Sequence, residues 1–240
     1  KSGCKLINFP AAEAVSILRL TLPVVLDSPP AAQYTASMPN LIRAFIAIEL
    51  PPEVIHALAA TIKSLQPKVP ATALRWTALK NLHLTLRFLG ESSPQALQQV
   101  SQQAGLLASA AGPFELASGG LGVFPNLRQP RIVWAGLTLP AALIQLQNDL
   151  EIKIQRCGYA AERKPFTPHL TLARVRDGAS HSELSQLSQT IQAYVPQPPV
   201  HFTVSQLTLF RSDLKPEGPV YTRLAVFPFA AAGDTSTTTA

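Results

Sequence analysis

His83-Leu84-Thr85-Leu86 is a four-residue string that occurs a second time in this chain, as His169-Leu170-Thr171-Leu172. The whole sequence of 240 residues contains only five histidines, and two of them share this local context. Each copy lies in an apolar segment and carries an imidazole and a hydroxyl two residues apart. The repetition predicts one functional site that is built from two similar halves of the chain.

Strand alternation predicts where these side chains point. Successive side chains of a β-strand point to opposite faces, so His83 and Thr85 share one face while Leu84 and Leu86 share the other. The same reasoning applies independently to the second copy. If the leucines enter a core beneath helices and the two strands lie side by side, both His/Thr pairs face one cleft.

The order of the predicted elements indicates the fold class. Short apolar runs bounded by Pro or Gly predict strands, and apolar residues at helical spacing predict helices between several of them. The predicted strands are 42–50, 74–77, 81–89, 114–121, 131–139, 166–175, 201–210 and 220–227, and the predicted helices are 53–65, 93–108, 140–157 and 180–194. Intermixed elements with short connections favour an α+β sandwich with helices outside antiparallel sheets. The separation of the two strings suits two lobes of one domain that are related by approximate two-fold symmetry.

Both ends of the chain are predicted to lie outside the domain, which is assigned to residues 38–229. Met38 is the only methionine and is predicted to be the natural start, which makes residues 1–37 an N-terminal extension. The apolar stretch in this extension is interrupted by Arg19 and Pro23 and is too short to span a membrane. Residues 230–240 are mostly small and polar, which predicts a disordered tail.

Composition restricts the class of protein and its surroundings. A hydrophobic fraction of 47% is ordinary for a globular protein, and 20 Lys and Arg against 14 Asp and Glu give a net charge of +6. This charge favours an anionic partner. The two cysteines, Cys4 and Cys157, lack the spacing of a zinc site and cannot form a disulfide framework, so we expect a reducing, cytoplasmic location.

Two imidazoles with two hydroxyls suit a phosphodiester better than an acyl group or a metal ion. An imidazole with a pKa near 6.5 exchanges protons near neutral pH, so two histidines can serve as complementary acid and base. Threonine hydroxyls can donate to the non-bridging phosphate oxygens. Attacking and leaving oxygens lie roughly in line in phosphoryl transfer, and groups on opposite sides of the phosphorus can serve both.

Two other interpretations of the histidines compete with this one. A metal site is disfavoured because the sequence has no HExxH motif and no carboxylate beside either histidine, so no metal and no cofactor are predicted. The histidines could instead be hydrogen-bonded strand residues without chemistry. That interpretation would be preferred for a single copy, but an identical pair in matching contexts disfavours it.

The chain resembles the two-histidine phosphoesterase superfamily, and within it the bacterial and archaeal RNA 2′,3′-cyclic phosphodiesterases of the ThpR/LigT type. Beyond the two strings, the similarity lies in residues 43–48, 76, 81–90, 124–126, 130–136, 166–174, 209–212 and 221. It covers about residues 42–229. The resemblance implies a bilobal α+β fold with the active cleft between two pseudo-symmetric lobes. It also implies the metal-free opening of a ribose 2′,3′-cyclic phosphate to a 2′-phosphate.

The resemblance assigns roles that the nearly identical strings cannot distinguish by themselves. By family precedent, His83 would be the acid that protonates the departing 3′ oxygen, and His169 would be the base that activates water. Thr85 and Thr171 would hold the phosphate oxygens. The implied partner is RNA or a nucleotide with a 2′,3′-cyclic phosphate, without a membrane, and the protein is expected to be a monomer.

Further residues are candidates for substrate contact. Arg131 could reach a phosphate with its planar donor fork or could be a solvated strand-start arginine. Phe124 and Trp76 could stack on a nucleobase, although core packing is favoured for Trp76. Six cations are predicted around the cleft strands, where they would attract RNA: Lys80, Arg87, Arg128, Arg163, Lys164 and Arg174.

Several functions are compatible with the sequence. A 2′-5′ RNA ligase would run the reverse reaction, and a small cyclic nucleotide could replace RNA as the substrate. A non-catalytic RNA- or nucleotide-binding module would keep the cleft without turnover. A structural interaction protein would leave the two aligned His/Thr pairs unexplained.

Overall fold

The computed structural model describes residues 40–231, so the predictions for residues 1–37 and most of the tail lie outside the described residues. The strands are β1 (Ile42–Glu49), β2 (Leu74–Trp76), β3 (His83–Ser92), β4 (Phe114–Phe124), β5 (Ile132–Leu137), β6 (His169–Val175), β7 (His201–Val204), β8 (Gln206–Lys215) and β9 (Gly218–Pro228). The α-helices are α1 (Pro52–Leu65), α2 (Pro94–Ala108), α3 (Ala141–Arg156) and α4 (His181–Gln192). Within this range, no helix has the length and apolar character needed to cross a membrane.

The sheet is divided into two matching halves. Its strand order is β7-β4-β5-β6-β3-β1-β8-β9, with antiparallel pairing between neighbours, and β2 pairs with β6. The strands that carry the repeated string, β3 and β6, are therefore the two central ones. They are joined at the pair Leu84 and Leu170. The predicted α+β fold of two pseudo-symmetric antiparallel lobes is confirmed, with lobe 1 formed by β3, β1, β8 and β9 and lobe 2 by β6, β5, β4 and β7.

Several strands extend beyond their predicted ends, and the predicted strand 201–210 forms two strands, β7 and β8. β4 ends at Phe124 instead of Leu121, because Gly122, Val123 and Phe124 continue to pair with β5. The two glycines at 119 and 120 and the third at 122 obscured this continuation, since glycine is uncommon inside strands. The extension places Phe124 at the end of a strand instead of in a free loop.

The leucines of both strings lie in the main core beneath helices. Leu84, Leu170 and Leu172 are fully buried, and Leu86 is nearly so. The apolar faces of α1, α2 and α3 contribute to the same core, while α4 covers a second, smaller one. Each fully buried leucine contributes about 1.5–3 kcal/mol relative to an exposed one. This burial fixes which face of each strand turns toward the helices, and the His/Thr pairs take the opposite face.

Both central strands contain a bulge at the same place in the string. The register shifts across Leu86 in β3, where β1 supplies the partner strand, and across Leu172 in β6, where β5 does. A bulge adds one unpaired residue and re-aims the side chains after it. The leucine and the next residue are therefore both buried in each copy, and the residue after that, Phe88 or Arg174, is exposed.

Arg87 shows the consequence of the bulge in β3. Its side chain is buried on the helix side, where its Nε atom lies 2.6 Å from Oε2 of Glu151 in α3 and its Nη1 atom lies 3.2 Å from Oε2 of Glu162. It also donates to the carbonyl of Ala160. The prediction that Arg87 is one of the cleft cations is wrong, because the bulge turns it toward α3.

Candidate active site

The pairing of β3 with β6 brings the two His/Thr pairs together. Leu84 and Leu170 are direct partners in an antiparallel ladder. In this register, each histidine stands opposite the threonine of the other string, and all four side chains are on the face away from the buried leucines. All four are half-buried, as expected for groups that line an open cleft. The alternation predicted from sequence is therefore present in both strands.

Both imidazoles are held by the same kind of hydrogen bond. Nδ1 of His83 lies 2.8 Å from the carbonyl oxygen of Asn81, and Nδ1 of His169 lies 2.7 Å from that of Thr167. A carbonyl oxygen only accepts, so Nδ1 donates in each case. In the neutral imidazole, the other ring nitrogen, Nε2, is then free to take up a proton. The two rings are oriented alike for proton transfer at Nε2.

His83 lies in a cluster of aromatic rings from lobe 1. Phe45 stacks on it with ring centroids 4.8 Å apart, and Tyr221 meets it edge-on at 5.3 Å. Phe210 packs behind Phe45 at 5.3 Å. Burial among these rings lowers the pKa of His83, whereas the hydrogen bond to Asn81 raises it and the charge of His169 lowers it further. The neutral imidazole is favoured in the free protein.

His169 has a different aromatic neighbour, supplied by lobe 2. The ring of Phe124 meets it edge-on at a centroid distance of 4.9 Å, and Phe124 in turn packs against Trp134 at 5.2 Å. The predicted substrate residue Phe124 thus lies directly beside a histidine of the cleft. It is half-buried, so part of its surface is exposed.

Trp134 packs closely over the backbone of β4. It is the ladder partner of Gly122, and a Cβ atom at Gly122 would overlap its indole ring. A residue without a side chain is therefore needed at this position. Trp134 is also the ladder partner of Thr171 in β6. Its Nε1 atom is buried and has no hydrogen-bond partner among the described residues.

A carboxylate lies beside His83 in space, although none lies beside it in sequence. Glu49 is the ladder partner of His83 in β1. Its Oε1 accepts from Oγ1 of Thr208 at 2.8 Å, and its Oε2 accepts from Nε of Arg223 at 3.0 Å. Within residues 40–231, His, Cys, Asp and Glu side chains do not gather in groups of three or more. The carboxylate is thus engaged by neighbours from β8 and β9.

The hydroxyl of Tyr221 lies in the electrostatic field of positively charged side chains from both lobes. Burial raises the pKa of its hydroxyl, whereas the positive charges of Arg174 in β6 and Arg43 in β1 lower it. Both arginines are exposed. Arg174 was predicted from sequence as a cation near the cleft, but Tyr221 and Phe45 were assigned no role. Phe45 could have been found by the alternation in β1, which sets it on the face opposite Ile46 and Ile48.

The remaining predicted residues lie in a groove of lobe 2, in the core and in exposed segments. Arg131 lines a groove between the β4–β5 connection and α4, where the groove wall also includes Arg128. Trp76 packs against both cores, as the sequence favoured. Lys80, Arg163 and Lys164 are exposed in connecting segments. The histidine and the threonine of each repeated string, together with Phe124, therefore form the centre of the site.

Comparison with known proteins identifies the family to which this site belongs. The model of the 2′-5′ RNA ligase superfamily matches residues 51–216, a segment that contains both strings. This chain belongs to the 2′-5′ RNA ligase superfamily. A relative from Methanothermobacter thermautotrophicus, named RNA 2′,3′-cyclic phosphodiesterase, is 32% identical over 189 residues, which are 78% of this chain and 98% of the relative. The resemblance stated from the motifs is confirmed.

Solved structures of superfamily proteins agree with the fold. LigT of E. coli, crystallised with 3′-AMP, is 32% identical with a TM-score of 0.62, and the match covers 79% of this chain and 98% of LigT. A Thermus thermophilus protein is 30% identical with a TM-score of 0.64, over 80% of this chain and all of that protein. This chain therefore shares its fold with both of these proteins.

Proposed function

We propose that this protein is a metal-independent RNA 2′,3′-cyclic phosphodiesterase, which opens a terminal cyclic phosphate to a 2′-phosphate. The observation that carries the proposal is the convergence of two His/Thr pairs from β3 and β6, each with Nδ1 of its imidazole bonded to a backbone carbonyl. Two proton-transfer groups and two hydroxyl donors on one face match the needs of an in-line displacement at phosphorus.

The reaction assigns a separate task to each histidine. Nε2 of His169 takes a proton from water, and the water oxygen forms a bond to phosphorus. The bond between phosphorus and the 3′ oxygen breaks, and His83 gives its proton to that oxygen. The products are a 2′-phosphate and a 3′-hydroxyl, and a proton exchange with solvent restores both imidazoles. This order of acid and base rests on the family resemblance.

The threonines and the nearby cations act on the charge of the phosphate. Thr85 and Thr171 donate hydrogen bonds to its non-bridging oxygens, which carry more charge as the transition state forms. Such hydrogen bonds to a charged group are stronger than those between neutral partners. Arg174, near the end of the central strand β6, adds a positive charge.

His83 requires a proton before it can act as the acid. Burial lowers the pKa of His83 in the free protein, which favours its neutral form. A bound cyclic phosphate brings a negative charge next to the imidazole, and a nearby opposite charge favours the protonated form. Substrate binding therefore favours protonation of His83, so that the imidazole becomes the acid when a cyclic phosphate is bound.

The names of the relatives support this substrate class. The archaeal relative and others from Archaeoglobus fulgidus and Thermotoga maritima are named RNA 2′,3′-cyclic phosphodiesterase. The E. coli neighbour was crystallised with 3′-AMP, a nucleotide with a ribose phosphate. A monomeric state and a cytoplasmic location remain predictions.

A single end-chemistry assay tests the proposal. An oligoribonucleotide ending in a 2′,3′-cyclic phosphate is incubated with the protein in EDTA, and the terminal phosphate is located by ³¹P NMR. We expect a 2′-phosphate at a rate unaffected by EDTA. A 3′-phosphate product would contradict the assigned direction of opening, and loss of turnover on chelation would contradict the metal-free mechanism.

Ligation is the second candidate function, because the matching family model is named for 2′-5′ RNA ligases. In ligation, a 5′-hydroxyl of a second RNA replaces water as the nucleophile, its oxygen bonds to phosphorus, and the bond to the 3′ oxygen breaks, which yields a 2′-5′ linkage. The same two imidazoles act as base and acid in ligation. Adding an acceptor oligonucleotide to the assay and separating the products by length measures which reaction dominates.

A further inference from the structure

A groove of about 850 Å³ lies in lobe 2, between the β4–β5 connection and α4. We call it the basic groove, because its wall includes Arg128, Arg131, Arg176 and His181 and no Asp or Glu of the described residues. Serine and glutamine side chains of α4 complete the polar part of the wall. Guanidinium groups with amide and hydroxyl neighbours are suited to binding phosphate oxygens.

The arginines of the basic groove have no acidic partner within residues 40–231. None of the three forms a salt bridge in this range. All three are exposed, and Arg176 alone uses its guanidinium in a described bond, from Nε to the carbonyl of Leu74 at 3.2 Å. Three uncompensated positive charges around one concave surface attract an anion that carries several charges.

Lobe 1 provides an internal comparison. A groove of about 510 Å³ lies at its corresponding strand ends, beside the start of β1 and the end of β3. Its three cations, Arg43, Arg211 and Lys215, are accompanied by Glu91 and Asp213. Arg211 forms an ion pair with Asp213 at 2.8 Å. The lobe 1 groove is therefore largely neutralised, whereas the basic groove of lobe 2 is not.

Shared elements link the basic groove to the candidate active site. The backbone N–H of Arg131 donates to the carbonyl of Phe124 at 2.7 Å, and the ring of Phe124 contacts His169. On the other wall, β6 runs from His169 to Val175, and Arg176 follows directly. At the usual rise per residue, the groove begins about 20 Å from the imidazole, a distance that several nucleotides can span.

We propose that the basic groove binds the phosphodiester backbone of single-stranded RNA that lies upstream of the cyclic phosphate. The proposal rests on the proposed function, since it assumes an RNA end in the cleft. The terminal nucleotide occupies the cleft, and the chain passes Phe124 and crosses the end of β6 into the groove. Contacts to phosphates position a strand without reading its sequence. The groove thus favours an oligonucleotide over a cyclic mononucleotide.

The experiment compares two substrates in two variants, Arg128→Gln and the double variant Arg128→Gln with Arg176→Gln. The substrates are a 2′,3′-cyclic mononucleotide and an oligoribonucleotide of roughly ten nucleotides with a 2′,3′-cyclic end, within the range of single-strand site sizes. With the oligonucleotide, we expect KM to rise about fivefold for the single variant and more for the double one, with kcat unchanged. With the mononucleotide, both constants stay at wild-type values.

Salt dependence and a matched variant sharpen the test. For every phosphate that an arginine no longer neutralises, the negative slope of log(kcat/KM) against log[salt] for the oligonucleotide should become shallower by about 0.7. Lys215→Gln, in the lobe 1 groove, removes one exposed charge. It should leave unchanged the ratio of kcat/KM for the oligonucleotide to kcat/KM for the mononucleotide. Thermal melting verifies that each variant is folded, and Arg128→Lys, which keeps the charge, should recover part of the loss.

The outcomes separate the inference from the proposed function. If the wild-type protein opens neither substrate, the proposed function is wrong. If it opens both and the arginine variants lose nothing with the oligonucleotide, or lose as much with the mononucleotide, the basic groove is not an RNA site. An equal loss of kcat/KM with the oligonucleotide in Lys215→Gln would also overturn the proposal, because the net charge of the protein alone would then explain the effect.

Discussion

The two His-Leu-Thr-Leu strands share a backbone geometry but not their surroundings. Each has buried leucines, a bulge at its second leucine and an imidazole whose Nδ1 bonds to a carbonyl two residues earlier. His83 is enclosed by Phe45 and Tyr221, whereas His169 has the edge of Phe124. The repeated residues thus set the orientation of both rings, and unrepeated neighbours from each lobe make the two rings chemically different.

The difference continues on the helix side of the sheet. After the bulge, lobe 1 buries Arg87 against α3 and lobe 2 buries Ala173. An arginine with two carboxylate partners fixes the position of β3 through ion pairs, while β6 relies on apolar packing. Lobe 1 therefore adds ion pairs to the apolar packing that both central strands share.

The largest expected effect comes from removing either imidazole. His83→Ala and His169→Ala should each lower kcat for a cyclic phosphate substrate by about 10²–10⁴, the usual contribution of general acid or base catalysis. The double variant should be much less impaired than the product of the two losses, because the groups act in one step. Single-turnover rates measure all three variants. A loss in the double variant equal to the product of the two single losses would contradict a shared transition state.

A leaving-group substitution distinguishes the two roles. If sulfur replaces the 3′ oxygen, the leaving thiolate needs little protonation, because a thiol has a pKa near 8.5. His83→Ala should then recover much of its activity with this substrate, and His169→Ala should not. Recovery of His169→Ala instead would assign the acid to lobe 2 and reverse the proposed order.

A large loss of stability is expected on the helix side of lobe 1. Arg87→Ala leaves Glu151 without its buried partner, which should lower the free energy of unfolding by about 3–5 kcal/mol. Denaturant titration measures the change. The exposed residue Arg174, in β6, provides the control, since Arg174→Ala should change stability by less than about 0.5 kcal/mol. Equal effects would mean that the ion pairs do not hold β3.

A smaller effect is expected for the hydroxyls. Thr85→Val and Thr171→Val keep the shape and remove a hydrogen bond to a charged phosphate, which is worth about 1.5–3 kcal/mol, or roughly 10–150-fold in kcat/KM. The exposed Thr222 serves as a matched control, and Thr222→Val should leave the rate unchanged. If only one of the two site threonines affects the rate, the phosphate is held from one lobe and not from both.

Some of this arrangement follows from sequence and some does not. Alternation predicted the faces of both strings because it depends only on backbone geometry, and the apolar runs predicted nearly all the strands. The bulges at Leu86 and Leu172 carry no sequence signal, so the burial of Arg87 was missed. Glu49 was missed for another reason, since it meets His83 only through the pairing of β1 with β3.

The smallest expected effect concerns the protonation of His83. Burial lowers its pKa from the usual value near 6.5, so its ring should titrate below that pH when followed by NMR of the free protein. Phe45→Leu loosens the stacked ring and should raise this pKa. His169→Ala removes a repelling positive charge and should also raise it, but by less, because burial is the larger cause.

The pH dependence of the free energy of unfolding provides an independent test of the lowered pKa of His83. The sign of its slope is the quantity to compare. Because the folded protein holds the His83 proton more weakly than the unfolded chain does, the unfolded state binds more protons between the lowered pKa and pH 6.5. Stability from this group is therefore complete above pH 6.5 and is lost as the pH falls from there through the lowered pKa. Comparing wild-type protein with His83→Gln isolates this slope. A slope of the opposite sign would mean that the aromatic cluster stabilises the imidazolium, and lobe 1 would then hold a charged acid even without substrate.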